Sequence, residues 1–203
     1  MSLARGRPSA PDQQPASFAF SEENKAAASA IIAKYPEGKQ QSAVMPLLDL
    51  AQRQESWVSV ATMNVIADML DMPGIRVYEV ATFYTMYNLE PVGDFLIQVC
   101  TTTPCMLRDS DGIVEACRGH LGIDFDETTA DGKFTMKEVE CLGACVNAPM
   151  VQINDDFYED LDAEKMVGLL QALARGETPE MGPQNGRHSS EPVSGAKTLL
   201  GGA

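Results

Sequence analysis

Two short cysteine pairs constrain this chain more than any other feature. Cys100 and Cys105 stand in CTTTPC, and Cys141 and Cys145 in CLGAC: a C-x4-C pair and a C-x3-C pair with 35 residues between them. Each pair follows a β-prone run, Phe95 to Val99 before the first and Phe134 to Val139 before the second. Two strand ends on one side of a sheet gather four thiolates. The N-terminal run MSLARGRPSAPDQQPAS has no apolar stretch of the kind a secretory signal needs. Reduced thiols are therefore expected rather than a disulfide framework, and the spacing points to metal ligation.

The neighbouring residues fit that reading. A helix expected from about Pro104 to Leu121 puts Cys105 in its first turn, where unpaired N–H groups and the helix dipole lower a thiol pKa. Gly143 and Ala144 are small enough for loop amides to approach sulfur. Neither loop holds a His, so an all-thiolate site is indicated. Zinc and iron–sulfur centres both accept four cysteines. The C-x2-C spacing of zinc knuckles and of dithiol redox sites is absent, which favours iron–sulfur and leaves zinc open. The fifth cysteine, Cys117, falls on an apolar face with Ile113 and Leu121 and is expected as a core thiol. His120 is expected at the surface and His188 in an unstructured tail. Asp155, Asp156, Glu159, Asp160, Asp162 and Glu164 lack the Gly and ordered spacing of a calcium loop and read as a solvated acidic turn.

The rest of the chain reads as α+β. Ser21 is expected to cap a helix carrying Ala28, Ile31, Ile32 and Tyr35. Further helices are expected over about Gln41 to Glu55, with Pro46 in the first turn, over about Ser59 to Leu70, and over about Val77 to Asn88. After Pro91 and Gly93 the period changes. Besides the two runs before the cysteines, strands are expected around Val151 and Ile153 and at Phe157-Tyr158. Asp162 caps a last helix with Met166, Leu169, Leu170 and Leu173 on one face. The expected division is a flexible leader at 1–17, a helical domain at 18–90, an α/β domain at 91–176 and a disordered tail at 177–203.

Charge and missing motifs exclude several functions. With 29 acidic residues against 15 Lys and Arg, the net charge is −14, the opposite of what a nucleic-acid binder needs. No apolar run reaches the roughly 18 residues of a membrane span. Neither G-x-G-x-x-G nor G-x-x-x-x-G-K-[ST] occurs, so dinucleotides and nucleotide phosphates are not expected on this chain in those ways. No Ser or Cys nucleophile has a motif-placed base, and no catalytic residue is expected. Tyr78, Phe83, Tyr84 and Tyr87 form the densest aromatic cluster. They read as part core and part interface anchors, with Tyr84 and Tyr87 the anchors to test.

The runs CTTTPCMLR and ECLGACVNAPMVQIND closely resemble the thioredoxin-like two-iron ferredoxin subunit of respiratory NADH:quinone oxidoreductase (complex I), the NuoE type. YPEGKQQSAVMPLLDLAQRQ and VYEVATFYTMYN resemble the N-terminal helical region of the same family, whose relatives also serve NAD-linked hydrogenases and formate dehydrogenases. The resemblance spans roughly Phe18 to Gly176. It implies an N-terminal helical bundle followed by a thioredoxin-like α/β ferredoxin domain. All four cysteine positions match, so it implies that Cys100, Cys105, Cys141 and Cys145 are the ligands of one [2Fe–2S] cluster.

It further implies a NuoF-type partner carrying FMN and NADH, with which the cluster exchanges electrons off the main chain of clusters. Other peripheral-arm subunits of complex I are implied too, with no direct membrane insertion. The implied location is the cytoplasmic side of the bacterial inner membrane, with the mitochondrial matrix as the alternative. An acidic chain without a His ligand favours a low potential, nearer the roughly −400 mV of plant-type ferredoxins than Rieske values, while the helix end near Cys105 pushes the other way and leaves the balance open. The competing reading from another class is a zinc-stabilised structural domain.

Overall fold

A computed structural model describes residues 7–192 and 194–195. The chain divides into two units, Met1–Val92 and Gly93–Ala203. The first carries helices α1 (Glu22–Ile32), α2 (Val44–Glu55), α3 (Val60–Met69) and α4 (Gly74–Phe83). Ser21 and Ser59 accept the N–H groups of Asn24 and Thr62, each satisfying a donor that a helix start leaves open. Pro46 lies in the first turn of α2, where a missing N–H is tolerated. Leu47, Leu48, Val58, Met63, Ile66 and Val77 fill the core of this unit.

Three expectations change here. α4 begins at Gly74, directly after an extended Pro73, and ends where Tyr84 turns extended, so it is displaced toward the N-terminus of the expected span. Tyr87 is core rather than an anchor. It is 4% exposed, its hydroxyl donates to the Met45 carbonyl at 2.9 Å, and burial pushes its pKa to about 12. Part of the expected leader is tied down: the Ser9 N–H donates to the Leu89 carbonyl at 3.0 Å, and the Gln14 carboxamide accepts the Val60 N–H at 2.9 Å. Residues 1–6 of that leader lie outside the described residues.

The second unit is a mixed six-stranded sheet with helices. In chain order it runs β1 (Phe95–Cys100), α5 (Thr103–Leu107), α6 (Ser110–Leu121), β2 (Glu127–Thr128), β3 (Phe134–Val139), β4 (Val151–Ile153), β5 (Asp156–Glu159), α7 (Ala163–Ala174) and β6 (Gly182–Pro183). The sheet order is β2-β3-β1-β4-β5-β6. β1 is parallel to β3 and antiparallel to β4. Ile97, Val99, Met136, Val151 and Ile153 pack with Ile113, Val114 and Cys117 from α6 and with Met166, Leu169, Leu170 and Leu173 from α7. Side chains alternate along a strand, so Cys100 falls on the opposite face of β1 from Ile97 and Val99.

The single helix expected after Pro104 is two. Asp109 takes a left-handed φ of 74° and accepts the Gly112 N–H, which ends one helix and caps the next. The tail expected to be disordered carries β6, paired with β5 through Tyr158↔Gly182 and Glu159↔Pro183. Residues 193 and 196–203 of it lie outside the described residues. Among the described residues no helix is long and apolar enough to cross a membrane.

Asp162 caps α7 as expected, accepting the Lys165 N–H at 2.9 Å and its Nζ at 2.6 Å. The Lys165 side chain and amide hold this carboxyl below its ordinary pKa. Its charged form therefore contributes fully above the unfolded carboxyl value of roughly 3.9 and fades as pH falls through the lower folded value. Asp162→Ala costs about 1 kcal/mol at neutral pH by urea unfolding, and the gap to the parent narrows in acid.

Candidate metal centre

Because β1 and β3 are parallel neighbours, their C-terminal ends lie side by side at the same end of the sheet. β1 ends in Cys100, and the loop after β3 supplies Cys141 and Cys145. α5 turns back at Thr102 and presents Cys105 in its first turn. There the two thiol pairs come near each other. Cys141 Sγ lies 3.2 Å from Cys145 Sγ, and Cys100 and Cys105 hydrogen-bond to each other. Cys145 is near enough to Cys100 and Cys105 for their charges to interact. All are free thiols. The pairs differ in exposure: Cys100 and Cys105 are buried against Ala148 and Met150, while Cys141 and Cys145 are exposed.

Hydrogen bonds and burial shift the two members of each pair in opposite directions. Burial raises the Cys100 pKa, but the Thr102 hydroxyl and amide, the Cys105 thiol and the Leu142 amide together bring it below its ordinary value. Cys141 is lowered by the Cys145 thiol, the Gly143 amide and the Thr102 hydroxyl. Cys105 is pushed up to about 12 by burial and by its bond to Cys100, against the Met150 amide. Cys145 is raised by its bond to Cys141. The expected lowering of Cys105 by a helix start is thus corrected: desolvation and a neighbouring sulfur outweigh the dipole of a five-residue helix.

This donor set can be tested for what it suits. The amides of Thr102, Leu142, Gly143 and Met150 all donate to sulfur. Gly143 reaches its position at φ 92°, a conformation that glycine adopts without strain. Such amides favour negative sulfur and suit a sulfur-rich anionic group. Structural zinc needs four ligands around one ion, whereas a two-iron core divides four thiolates between two metals. Two thiol pairs, with backbone amides directed at Cys100, Cys105 and Cys141, fit the second.

The other singled-out residues separate. Burial pushes Cys117 up to about 12 in the core between α6 and the sheet, as a core thiol requires. His120 and His188 are exposed. Asp160 is a correction, because it is buried and paired with Arg187 rather than solvated. Thr102, whose hydroxyl lies 3.4 Å from Cys100 Sγ, is a site residue the spacing argument misses. Its signal was a hydroxyl two residues after the first cysteine.

A family model for the thioredoxin-like [2Fe-2S] ferredoxin matches residues 28–174. The mitochondrial NADH dehydrogenase [ubiquinone] flavoprotein 2 of Dictyostelium discoideum is 50% identical over 184 residues, covering 90% of this chain and 74% of that protein. The E subunit of NADH-quinone oxidoreductase from Rickettsia prowazekii is 58% identical over 155 residues, covering 76% of this chain and 88% of that protein. Among solved structures, an NAD+-reducing [NiFe]-hydrogenase in its H2-reduced state shares the fold at a TM-score of 0.57 and 18% identity, over 66% of this chain and 22% of the other. The chain belongs to the thioredoxin-like [2Fe-2S] ferredoxin family.

Proposed function

We propose that this chain is an electron-transfer subunit of NADH:quinone oxidoreductase, in which Cys100, Cys105, Cys141 and Cys145 hold one [2Fe–2S] cluster. The observation that carries this is the nearness of two thiol pairs beside four sulfur-directed amides. When bound, the cluster supplies one-electron transfer. The chain's own residues do the rest. Cys100 and Cys105 anchor the buried side, and the amides of Thr102, Leu142, Gly143 and Met150 offset negative charge on sulfur. Cys141 and Cys145 form the exposed edge through which a partner is reached, and Met106, Leu107 and Val146 add exposed apolar surface from the two cysteine-bearing segments.

The partner of this reading is the NuoF-type subunit that binds FMN and NADH, within the peripheral arm of complex I. The names of the Dictyostelium and Rickettsia relatives support an assembly of that kind. The chain works on the cytoplasmic side of a bacterial inner membrane, held through the complex, with the mitochondrial matrix as the alternative. A second reading, the same role in an NAD-linked hydrogenase, is favoured only by the shared fold.

A visible spectrum of anaerobically purified protein, with EPR after dithionite reduction, tests the cofactor. Brown absorption and a one-electron signal are expected; a colourless protein with stoichiometric zinc overturns the reading. For the partner, Phe83 and Tyr84 are the exposed aromatics, at 76% and 39%, with ring centroids 5.0 Å apart. Phe83→Ala and Tyr84→Ala each weaken flavoprotein binding about tenfold while the spectrum stays intact. Unchanged affinity in both variants removes this face from the interface.

A further inference from the structure

We infer that Arg187, carried by the segment after α7, is a positioning residue for the Cys145 loop. The inference rests on the reading above that Cys145 is a cluster ligand. β6 pairs this segment with β5, and the Gln184 N–H extends the contact to the Glu159 carbonyl at 2.9 Å. Arg187 then turns inward. Its guanidinium donates to the Val146 carbonyl at 3.2 Å, to Asn147 Oδ1 at 3.3 Å and to Asp160 Oδ1 at 2.9 Å. The Arg187 and Asp160 side chains are only 8% and 5% exposed. Val146 and Asn147 are the two residues directly after Cys145, and all three form one 3-10 turn.

That turn depends on its surroundings. A single 3-10 turn is weakly held by its own hydrogen bonds, and Cys145 at its start is exposed. Asn147 is fastened at every polar atom. Its carbonyl accepts the Asp160 N–H at 2.7 Å, and its Nδ2 donates to Glu159 Oε2 at 2.6 Å and to the Ser189 carbonyl at 2.9 Å. Three of the groups that bind Val146 and Asn147 therefore lie on Arg187, Ser189 and Asp160. The ion pair is a poor stabiliser in itself, since two buried charges lose hydration and neither Asp160 Oδ2 nor Arg187 Nε has a partner among the described residues. What the pair does achieve is geometric. Asp160 neutralises a fork whose other arm fixes the backbone one residue from a ligand, the role that outer-shell partners play at metal sites.

The test uses the full chain. Arg187→Met is expected to lose iron to a ferrous chelator 10- to 100-fold faster than the parent after dithionite reduction. Amides 144–148 are expected to exchange with deuterium faster in both the loaded and the metal-free variant. The double variant Arg187→Met/Asp160→Asn removes the charges together and keeps a residue tolerant of the left-handed φ of 51° at position 160. It is expected to match the parent in thermal stability and still lose iron fast. Parent-like release in the double variant, or unchanged exchange at 144–148 in Arg187→Met, overturns the inference. If the parent itself carries no iron, the functional reading fails, while the exchange experiment still decides whether Arg187 holds the loop.

Discussion

Cys141→Ala purifies without visible absorption, and so do Cys100→Ala, Cys105→Ala and Cys145→Ala. The effect is complete rather than graded, because a [2Fe–2S] core is held by four thiolates and each loss leaves one iron short. The amides of Leu142 and Gly143 that donate to Cys100 and Cys141 cannot take over ligation, since they are donors. Cys117→Ala is the control. Its thiol lies in the core between α6 and the sheet, so the spectrum stays intact and stability drops by on the order of 1 kcal/mol. Absorbance of anaerobic preparations, with iron and sulfide counted per chain, reads both outcomes. A brown Cys141→Ala beside a colourless Cys117→Ala would falsify the ligand assignment.

Ile97→Ala destabilises the second unit by about 2–5 kcal/mol, the range for a truncated buried aliphatic side chain whose cavity does not fully collapse. Ile97 is wholly buried on β1, with Met136 of β3 and Ile153 of β4 as its register partners on either side. Neither neighbouring strand closes such a gap without shifting the ladder that also carries Cys100. Calorimetry should show the unfolding midpoint falling by on the order of 10 °C. Gln171→Ala, on the exposed side of α7, is expected to stay within about 0.5 kcal/mol. Equal midpoints for Ile97→Ala and the parent would mean that β1 is not the centre of this core.

Much of this molecule is legible residue by residue. Ser21 and Asp162 cap the helices they precede, since a capping side chain bonds an amide three residues away and needs no distant partner. Cys117 and its apolar neighbours read as core from helical spacing alone. The break between α5 and α6 is harder to read, because it depends on Asp109 taking a left-handed conformation that its neighbours do not announce. Tyr84 and Tyr87 look equivalent in the chain. Only the hydrogen bond from Tyr87 to Met45, 42 residues earlier, separates a core ring from an exposed one.

The sequence by itself determined where the candidate ligands stand: four thiols in two short pairs, each following a strand, beside loops small enough for amides to reach sulfur. The tertiary structure alone decided how those thiols differ. Burial and the bond to Cys100 push the Cys105 thiol up, whereas hydrogen bonds from Thr102, Cys105 and Leu142 outweigh burial at Cys100 and bring it down. It likewise decided that Asp160, one acid in a run of six, is the buried partner of an arginine 27 residues further on. Spacing encodes what lies within a few residues of a side chain. Desolvation and hydrogen bonding depend on what lies within a few ångströms, and part of that shell comes from distant segments: Leu142 for Cys100, Met150 for Cys105 and Arg187 for Asp160.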